Sequence, residues 1–353
     1  MLSRRQFLCS SVLPWLLAAA ARAQTSETVP IAPTTRPRVG EIDHDRIVRA
    51  ARAALDRPLS PDRNIDGDSF LAFTLDVPAL AAACLVDAAN AAHYRLKARA
   101  LLWAWFVSPD SRLSAGPALA SYKLLAARSA LAEVAVALPF LALPAEDLGD
   151  GTAWFRHALD WLNSDRTALL ARDVHDHNGS SWLLQTSAYA SLLDDDAVLA
   201  EQRHRFKRSI LREQVLPDGL FRNELGGPNP FRDSLYNLDL LAGSAQLLST
   251  RFESLWKYEL QDGPGMRTVI ARHAALIAAP STWPYPADAT HFSDLPGRRP
   301  ALLFAGRAYS DADYVALWKT LDPDPKAPTI LRTFPIRQPL LWIMRRPAVI
   351  AAA

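Results

Sequence analysis

Residues 231–250 read Phe-Arg-Asp-Ser-Leu-Tyr-Asn-Leu-Asp-Leu-Leu-Ala-Gly-Ser-Ala-Gln-Leu-Leu-Ser-Thr, and this stretch carries the pattern that decides the fold. Its apolar residues recur at steps of three or four positions and form one stripe: Phe231, Leu235, Leu238, Leu241, Ala242, Ala245 and Leu248. It lacks the alternation of apolar and polar residues that a half-buried strand shows. The stretch therefore predicts a long amphipathic helix.

The same spacing continues along the chain. It predicts further helices at 43–56, 78–91, 93–107, 116–142, 152–171, 180–193, 196–214, 264–279 and 311–320. Turn sequences such as Ser108-Pro109-Asp110 separate these helices, and no break in composition divides them. The pattern favours one all-α domain of helical hairpins. Because no fixed-period repeat of an open solenoid is visible, we expect an incomplete (α/α) toroid with a groove at one end.

The first 23 residues have the features of an export signal. Arg4-Arg5 precede Phe-Leu, an apolar stretch follows at 12–21, and Ala21-Arg22-Ala23 fits a cleavage site. The paired arginines resemble the twin-arginine type of bacterial signal, and an ordinary secretory leader is the alternative. Either predicts a periplasmic or secreted protein. Since no segment reaches ~20 uninterrupted apolar residues, we expect no membrane contact after signal cleavage.

Composition divides the rest of the chain into three parts. Residues 24–40 are rich in Thr, Pro and Ser and fit a linker, 41–322 form the predicted toroid, and the Pro-rich 323–353 are expected to be an extended strap. With 50% apolar and 22% charged residues the chain is typical of a globular protein. Its net charge of +2 becomes −1 without the leader, which argues against nucleic acid as a partner. We expect a monomer.

Two polar clusters are candidate sites. In the loop 172–182, His175, Asp176 and His177 are possible metal ligands, but they alternate on a loop without a clear further ligand, so we expect no metal and no cofactor. The alternative is that Asp176 or Asn178 caps the following helix and that the histidines are exposed to solvent. The second cluster spans 218–238. There Arg232 and Tyr236 share a helical face, either as a pair at the edge of the core or as a carboxylate clamp beside a phenolic acid or base.

Several short motifs together carry a resemblance to a known family. They are 97–113 with its Trp-Phe and Pro turn, Asn178-Gly179-Ser180-Ser181-Trp182, Asp218-Gly219 with Asn223-Glu224-Leu225, Ser234-Leu235-Tyr236-Asn237-Leu238, Leu255-Trp256-Lys257-Tyr258, and Trp283-Pro284-Tyr285. In this order over most of 78–321 they resemble the alginate lyase family of polysaccharide lyases. The resemblance implies an (α/α) toroid that cleaves an acidic, uronate-containing polysaccharide by β-elimination without a metal.

This reaction implies roles for particular residue types. Neutral or cationic donors hold the substrate carboxylate while enolate-like charge develops, a base takes the C5 proton, and an acid protonates the departing O4. The resemblance places the family's catalytic Tyr on Tyr236. Because a phenol has a pKa near ~10, a cationic neighbourhood must depress the pKa of Tyr236 if the phenol is to act as a base.

The family's other catalytic positions align less cleanly. When the alignment is anchored on Trp182, the family's Asn falls on Asn178 and the family's His falls on Gly179. In the alternative register, the family's Asn falls on His177 and the family's His falls on Asn178. The family's Arg falls on Asn229. Our hypothesis is that His177 and Asn178 share the carboxylate-neutralising and base roles. The nearest arginine, Arg232, would then replace the missing guanidinium.

A further group of residues is expected to bind the polymer: Trp182, Trp283 and Tyr285 by stacking on sugar rings, Glu224 from the Asn-Glu-Leu motif, and Arg222 by attracting a polyanion. The alternative for any tryptophan is that it fills a gap between helices. The alternative function is a catalytically silent carbohydrate-binding or scaffold protein on the same fold. A glycoside hydrolase would need paired carboxylates across the groove, and no obvious pair is visible.

Overall fold

The computed structural model describes residues 43–347 apart from 61, 63, 66, 112 and 262, and of 145–150 it describes the helix but not the side chains. The predicted signal peptide at 1–23 and linker at 24–40 lie outside the described residues. So does the end of the predicted strap at 348–353.

The described residues are predominantly helical. The α-helices are α1 His44–Asp56, α2 Asp68–Val86, α3 Ala91–Leu102, α4 Leu131–Leu141, α5 Ala145–Ser164, α6 Arg166–Asp173, α7 His177–Leu192, α8 Asp196–Arg205, α9 Leu211–Gln214, α10 Pro230–Leu248, α11 Met266–Ala278, α12 Pro300–Tyr309, α13 Ala312–Thr320, α14 Pro328–Leu331 and α15 Pro339–Ile343. Short π turns, Trp103–Val107 and Phe206–Ile210, extend α3 and α8. Tyr122–Arg128 is a 3₁₀ helix. In this part of the chain β-structure is limited to isolated bridges.

Five helices form the inner layer of the fold. In the order α2, α4, α7, α10 and α12, each packs against the next, and each buries residues on most of its circumference. A helix that is apolar nearly all round belongs in a core, which explains why these helices are enclosed by others. Helices α1, α3, α5, α6, α8, α11 and α13 pack against the inner layer from outside. The predicted all-α toroid is confirmed.

Two described stretches, Asp68–Val86 and Tyr122–Leu141, are long and apolar enough to cross a membrane by composition alone. In both, 67% of the most apolar window is buried inside the protein. Each therefore contributes to the apolar interior that the inner layer needs.

The C-terminal part is not simply extended, as the sequence led us to expect. It contains the short helices α14 and α15, and α15 contacts both α2 and α12, the two ends of the inner series, as well as α4 and α10. The buried carboxylate of Glu133 in α4 anchors this part. It accepts hydrogen bonds from the backbone N–H of Arg337 at 2.8 Å, from that of Gln338 at 2.7 Å and from the indole of Trp342 at 3.2 Å.

Two errors in the helix prediction, one boundary and one missed helix, have identifiable reasons. The predicted helix 152–171 is divided at Asp165, whose carboxylate caps α6 by accepting from the N–H of Thr167 at 2.8 Å. Helix α12 was missed because its sequence, Pro-Ala-Leu-Leu-Phe-Ala-Gly-Arg-Ala-Tyr, is short and lacks a polar face that would reveal its period. It is tied to α10 by the fully buried ion pair of Arg299 and Asp239, with Nη1 and Oδ2 3.2 Å apart.

Candidate active site

The candidate site lies where α7, α10 and the segment before α4 meet. Tyr236, in the second turn of α10, is 5% exposed, and its hydroxyl lies 2.7 Å from Ser129 Oγ and 3.0 Å from the carbonyl oxygen of Ala126. The ring of His177, the first residue of α7, is 5.6 Å from the Tyr236 ring between centroids. The fold thus brings the predicted imidazole and phenol together, although they are far apart in sequence.

The backbone at the start of α7 limits which of residues 176–179 can carry a large side chain. Asp176 caps the helix by accepting from the N–H of Asn178 at 2.8 Å, as one of the sequence alternatives proposed. A Cβ atom on Gly179 would lie 2.1 Å from the carbonyl oxygen of Val174, which is far inside van der Waals contact with backbone. No histidine fits at Gly179 without a backbone shift, so the imidazole at this helix start is supplied by His177.

A buried carboxylate orients this imidazole. Glu224 is 3% exposed, and its Oε2 lies 2.9 Å from His177 Nδ1, while its Oε1 accepts from the backbone N–H of His177 at 2.6 Å. Asn237 in α10 donates from Nδ2 to the same Oε1 at 3.1 Å. Because a carboxylate accepts a hydrogen bond, Nδ1 carries the proton and the lone pair of the neutral ring is on Nε2.

The same contacts shift the protonation of the two rings. Burial acts to lower the pKa of His177, but the hydrogen bond and the negative charge of Glu224 outweigh it, so the pKa is raised above 6.5. Burial raises the pKa of Tyr236 to about 12. The depressed pKa that this phenol would need to act as a base is therefore not found. Tyr236 is protonated at neutral pH and is suited to donate a proton.

Two further polar groups complete the arrangement. The amide of Asn178 donates to Asp176 Oδ1 at 3.1 Å and lies 3.4 Å from Nε2 of His177. Arg232, one turn before Tyr236, forms two contacts with Asp233, from Nε at 2.9 Å and from Nη2 at 2.8 Å. Its side chain is 34% exposed, so part of the guanidinium still faces solvent.

Comparison with known proteins connects this arrangement with a family. The model of the alginate lyase family matches residues 21–283, which is well over half of the chain. The chain belongs to the alginate lyase family. A crystal structure of an alginate lyase from Bacteroides ovatus superposes with a TM-score of 0.70 at 15% identity, covering 87% of this chain and 94% of that one. At this identity the likeness shows the fold alone. No curated protein matches the chain significantly.

Two of the residues expected to bind substrate in this family member are located in its interior. Trp182 is 1% exposed, donates from its indole to the carbonyl of Leu162 at 3.0 Å, and so fills a gap in the core. The prediction that it stacks on sugar was wrong. Glu224 is enclosed as well and holds His177 instead of contacting solvent.

The other three expected binding residues lie closer to the surface. Trp283 is 8% exposed and packs against Phe231, the neighbour of Arg232 in α10, so most of its ring is unavailable for stacking. Tyr285, with its ring centroid 5.4 Å from that of Trp283, is 37% exposed and keeps an accessible face. Arg222 is exposed. Tyr285 and Arg222 thus remain predicted contacts for a polymer.

Of the possible metal ligands named from the sequence, His177 belongs to the group of donors that the fold brings together, whereas His175 and Asp176 do not. Donor atoms of His177, Glu224 and Asp233 all lie within 4.8 Å of one another, and such a set can in principle hold a cation. In this arrangement His177 and Glu224 are bonded to each other, and Asp233 is paired with Arg232. The donors therefore already have partners, and a metal-free site stays a prediction.

Sequence reasoning missed three residues that shape the site. Ser129 contacts the phenol, Asp233 pairs with Arg232, and Asn237 supports Glu224. Asn237 follows Tyr236 directly in the chain, but a helix points adjacent residues in different directions, so adjacency gave no indication that both serve one site. Ser129 carries no sequence signal at all, since its contact with Tyr236 spans 107 positions.

Proposed function

We propose that the protein is an exported polysaccharide lyase that cleaves an acidic, uronate-containing polysaccharide such as alginate by metal-independent β-elimination. Membership of the alginate lyase family supports a lyase. The observation that carries the proposal is the His177 imidazole, which Glu224 fixes on its Nδ1 side and which lies 5.6 Å, between ring centroids, from a protonated phenol. This pairing supplies one group that accepts a proton and one that donates it.

His177 is the base in this proposal. Its Nε2 takes the C5 proton of the uronate, and the electrons of the broken C5–H bond form the C4–C5 double bond while the C4–O4 bond breaks. Glu224 stabilises the imidazolium that results, because its carboxylate accepts from Nδ1 at 2.9 Å. The raised pKa of His177 makes the ring a stronger base, at the cost of a smaller neutral fraction near pH 6.5.

Tyr236 is the acid. With a pKa of about 12 the phenol retains its proton at neutral pH, and it delivers that proton to the departing O4. Ser129 Oγ, 2.7 Å from the hydroxyl, holds the phenol in position and can stabilise the phenolate that forms. The proton taken up by His177 must then return to Tyr236, directly or through water, before the next cycle.

The carboxylate of the substrate must lose part of its charge for the C5 proton to become acidic. The amide of Asn178 beside Nε2 and the solvent-facing part of Arg232 are the available donors. Because Asp233 already offsets the charge of Arg232, Asn178 carries the larger share of this task in our proposal.

Purified protein incubated with a panel of uronate polymers tests the proposal through the ultraviolet absorbance of the unsaturated product. We expect Tyr236→Phe and His177→Ala each to lower kcat by about 10²–10⁴. Tyr309→Phe is the matched control, since it removes another phenol that is hydrogen-bonded to a backbone carbonyl, that of Trp256. Full activity in Tyr236→Phe would remove the phenol from the mechanism. Polymer binding without any absorbance change would favour the silent binding protein.

A further inference from the structure

A cavity lies away from the candidate active site, between α1, α2, the start of α12 and the C-terminal part. Its volume is about 230 Å³. We call it the arginine cleft, because four arginines, Arg46, Arg57, Arg298 and Arg337, are among the residues that line it. Pockets for drug-sized ligands have roughly 300–1,000 Å³, so this cleft has room for one smaller molecule.

Three of the four guanidinium groups have carboxylate partners. Arg57 pairs with Asp76, Arg298 with Asp43, and Arg46 with Asp324 at 3.3 Å. The positive charges of these arginines are therefore offset.

Arg337 differs from the other three. Its guanidinium donates to two backbone carbonyls, those of Phe334 at 2.9 Å and Leu331, and lies over the Phe334 ring. It forms no ion pair with any described residue. Burial lowers the pKa of Arg337 to about 9, although the negative charge of Glu133 acts to raise it. The guanidinium of Arg337 thus has no carboxylate in direct contact, although the charge of Glu133 acts on it from a greater distance, and a singly charged anion in the cleft would supply the direct partner.

Gln338, which follows Arg337 in the chain, adds a buried polar atom without a partner among the described residues. Gln338 lines the same cleft, is 3% exposed, and its Oε1 has no hydrogen-bond partner among the described residues. A buried amide oxygen without a donor costs free energy, and a hydroxyl group of a ligand would satisfy it. If the amide were turned, its NH₂ group would take the position of Oε1 and would require a polar partner there.

The cleft is open to solvent on one side. The side chains of Arg57 and Asp324 on its rim are 43% and 54% exposed, whereas Phe334 and Trp318 form an apolar wall further inside. A small ligand can therefore enter past the rim and bring its charge to Arg337.

We propose that the arginine cleft binds a small hydroxycarboxylate anion of up to about the size of one uronic acid. Its carboxylate pairs with Arg337, and one of its hydroxyl groups donates to Gln338. The proposal does not depend on lyase activity, since a monomeric acid has no glycosidic bond to cleave. The same chemistry is shared by a free metabolic hydroxy acid and by a monomeric uronate released from a polymer.

The experiment is titration calorimetry of the full chain at constant ionic strength. The probes are glucuronate, gluconate, glucose and acetate. We expect 1:1 binding of glucuronate. Glucose, which lacks the carboxylate, and acetate, which lacks the hydroxyl groups, should each bind at least about tenfold more weakly than glucuronate. Gluconate binding as tightly as glucuronate would identify the open-chain hydroxy acid as the preferred source, and weaker gluconate binding would identify the ring form. Absence of glucuronate binding at millimolar concentration would overturn the proposal.

Variants locate the site. Arg337→Gln should abolish glucuronate binding, and Gln338→Leu, which removes the unpaired oxygen while keeping a similar volume, should weaken it about tenfold. Gln338→Leu also provides a decisive measurement if Arg337→Gln does not fold. Arg208→Gln, at an exposed arginine outside the cleft, is the charge-matched control and should bind normally. Unchanged binding in Gln338→Leu, or loss of binding in Tyr236→Phe, would place the ligand elsewhere and refute the assignment.

Discussion

Replacement of Gly179 by alanine tests the account of the α7 start. The added Cβ would lie 2.1 Å from the backbone oxygen of Val174, and backbone cannot rotate away as a flexible side chain can. Overpacking of this kind costs about 1–3 kcal/mol, and a clash with backbone belongs at the upper end. The higher helix propensity of alanine returns about 1 kcal/mol. The net expected loss in the free energy of unfolding is about 2 kcal/mol.

Urea denaturation of Gly179→Ala and of Gly226→Ala measures this loss. Gly226 has no atom within 4 Å of an added Cβ, so its alanine variant should be neutral or gain up to about 1 kcal/mol through the unfolded state. Because the clash displaces the helix start that bears His177 and Asn178, kcat of Gly179→Ala should also fall by about 10². A denaturation midpoint of Gly179→Ala equal to or above that of the wild type would refute the steric argument.

Three other outcomes follow from buried charges. In Glu224→Gln the neutral form of His177 appears at lower pH, so the acid limb of the kcat/KM profile should move to lower pH with reduced kcat; an unmoved limb would exclude His177 as the base. Asp239→Asn leaves Arg299 buried without its counter-charge and should lower the free energy of unfolding by about 3–5 kcal/mol in urea denaturation, whereas a loss below about 1 kcal/mol would contradict this. Burial raises the pKa of Glu133 from 4.5 to about 7, so the folded state binds more protons between these values. The stability of the wild type relative to Glu133→Gln should then fall as pH rises through that window, by at most about 3 kcal/mol, and a rise would show the opposite linkage.

Much of the helical architecture was readable from the sequence, because burial of one helical face imposes a three-to-four-residue period on the apolar residues. The stripe that begins at Phe231 predicted α10 to within two residues at each end. The period disappears where a helix is buried all round or is short, as in α12, and it cannot reveal a cap that divides a helix, as Asp165 does. Those features depend on neighbours that are remote in sequence.

The candidate site was only partly predictable for the same reason. His177, Asn178 and Tyr236 were recognisable as residue types suited to elimination chemistry. The partner of His177, Glu224, lies 47 positions away, and its burial reversed the expected role from binding a polymer to orienting an imidazole. The burial that raises the pKa of Tyr236 arises from the packing of three segments and leaves no trace in any of them alone.

The position of α15 has a consequence for the order in which the molecule forms. Among the described helices α15 comes last in chain order, and its Trp342 bonds to Glu133 across 209 positions of the chain. The carboxylate of Glu133 therefore lacks these hydrogen-bond partners until residues 337–342 have been synthesised. Contacts of such long range slow folding, and surfaces left exposed meanwhile are prone to aggregation. Docking of α15 onto α2, α4, α10 and α12 is thus expected to be a late step in folding.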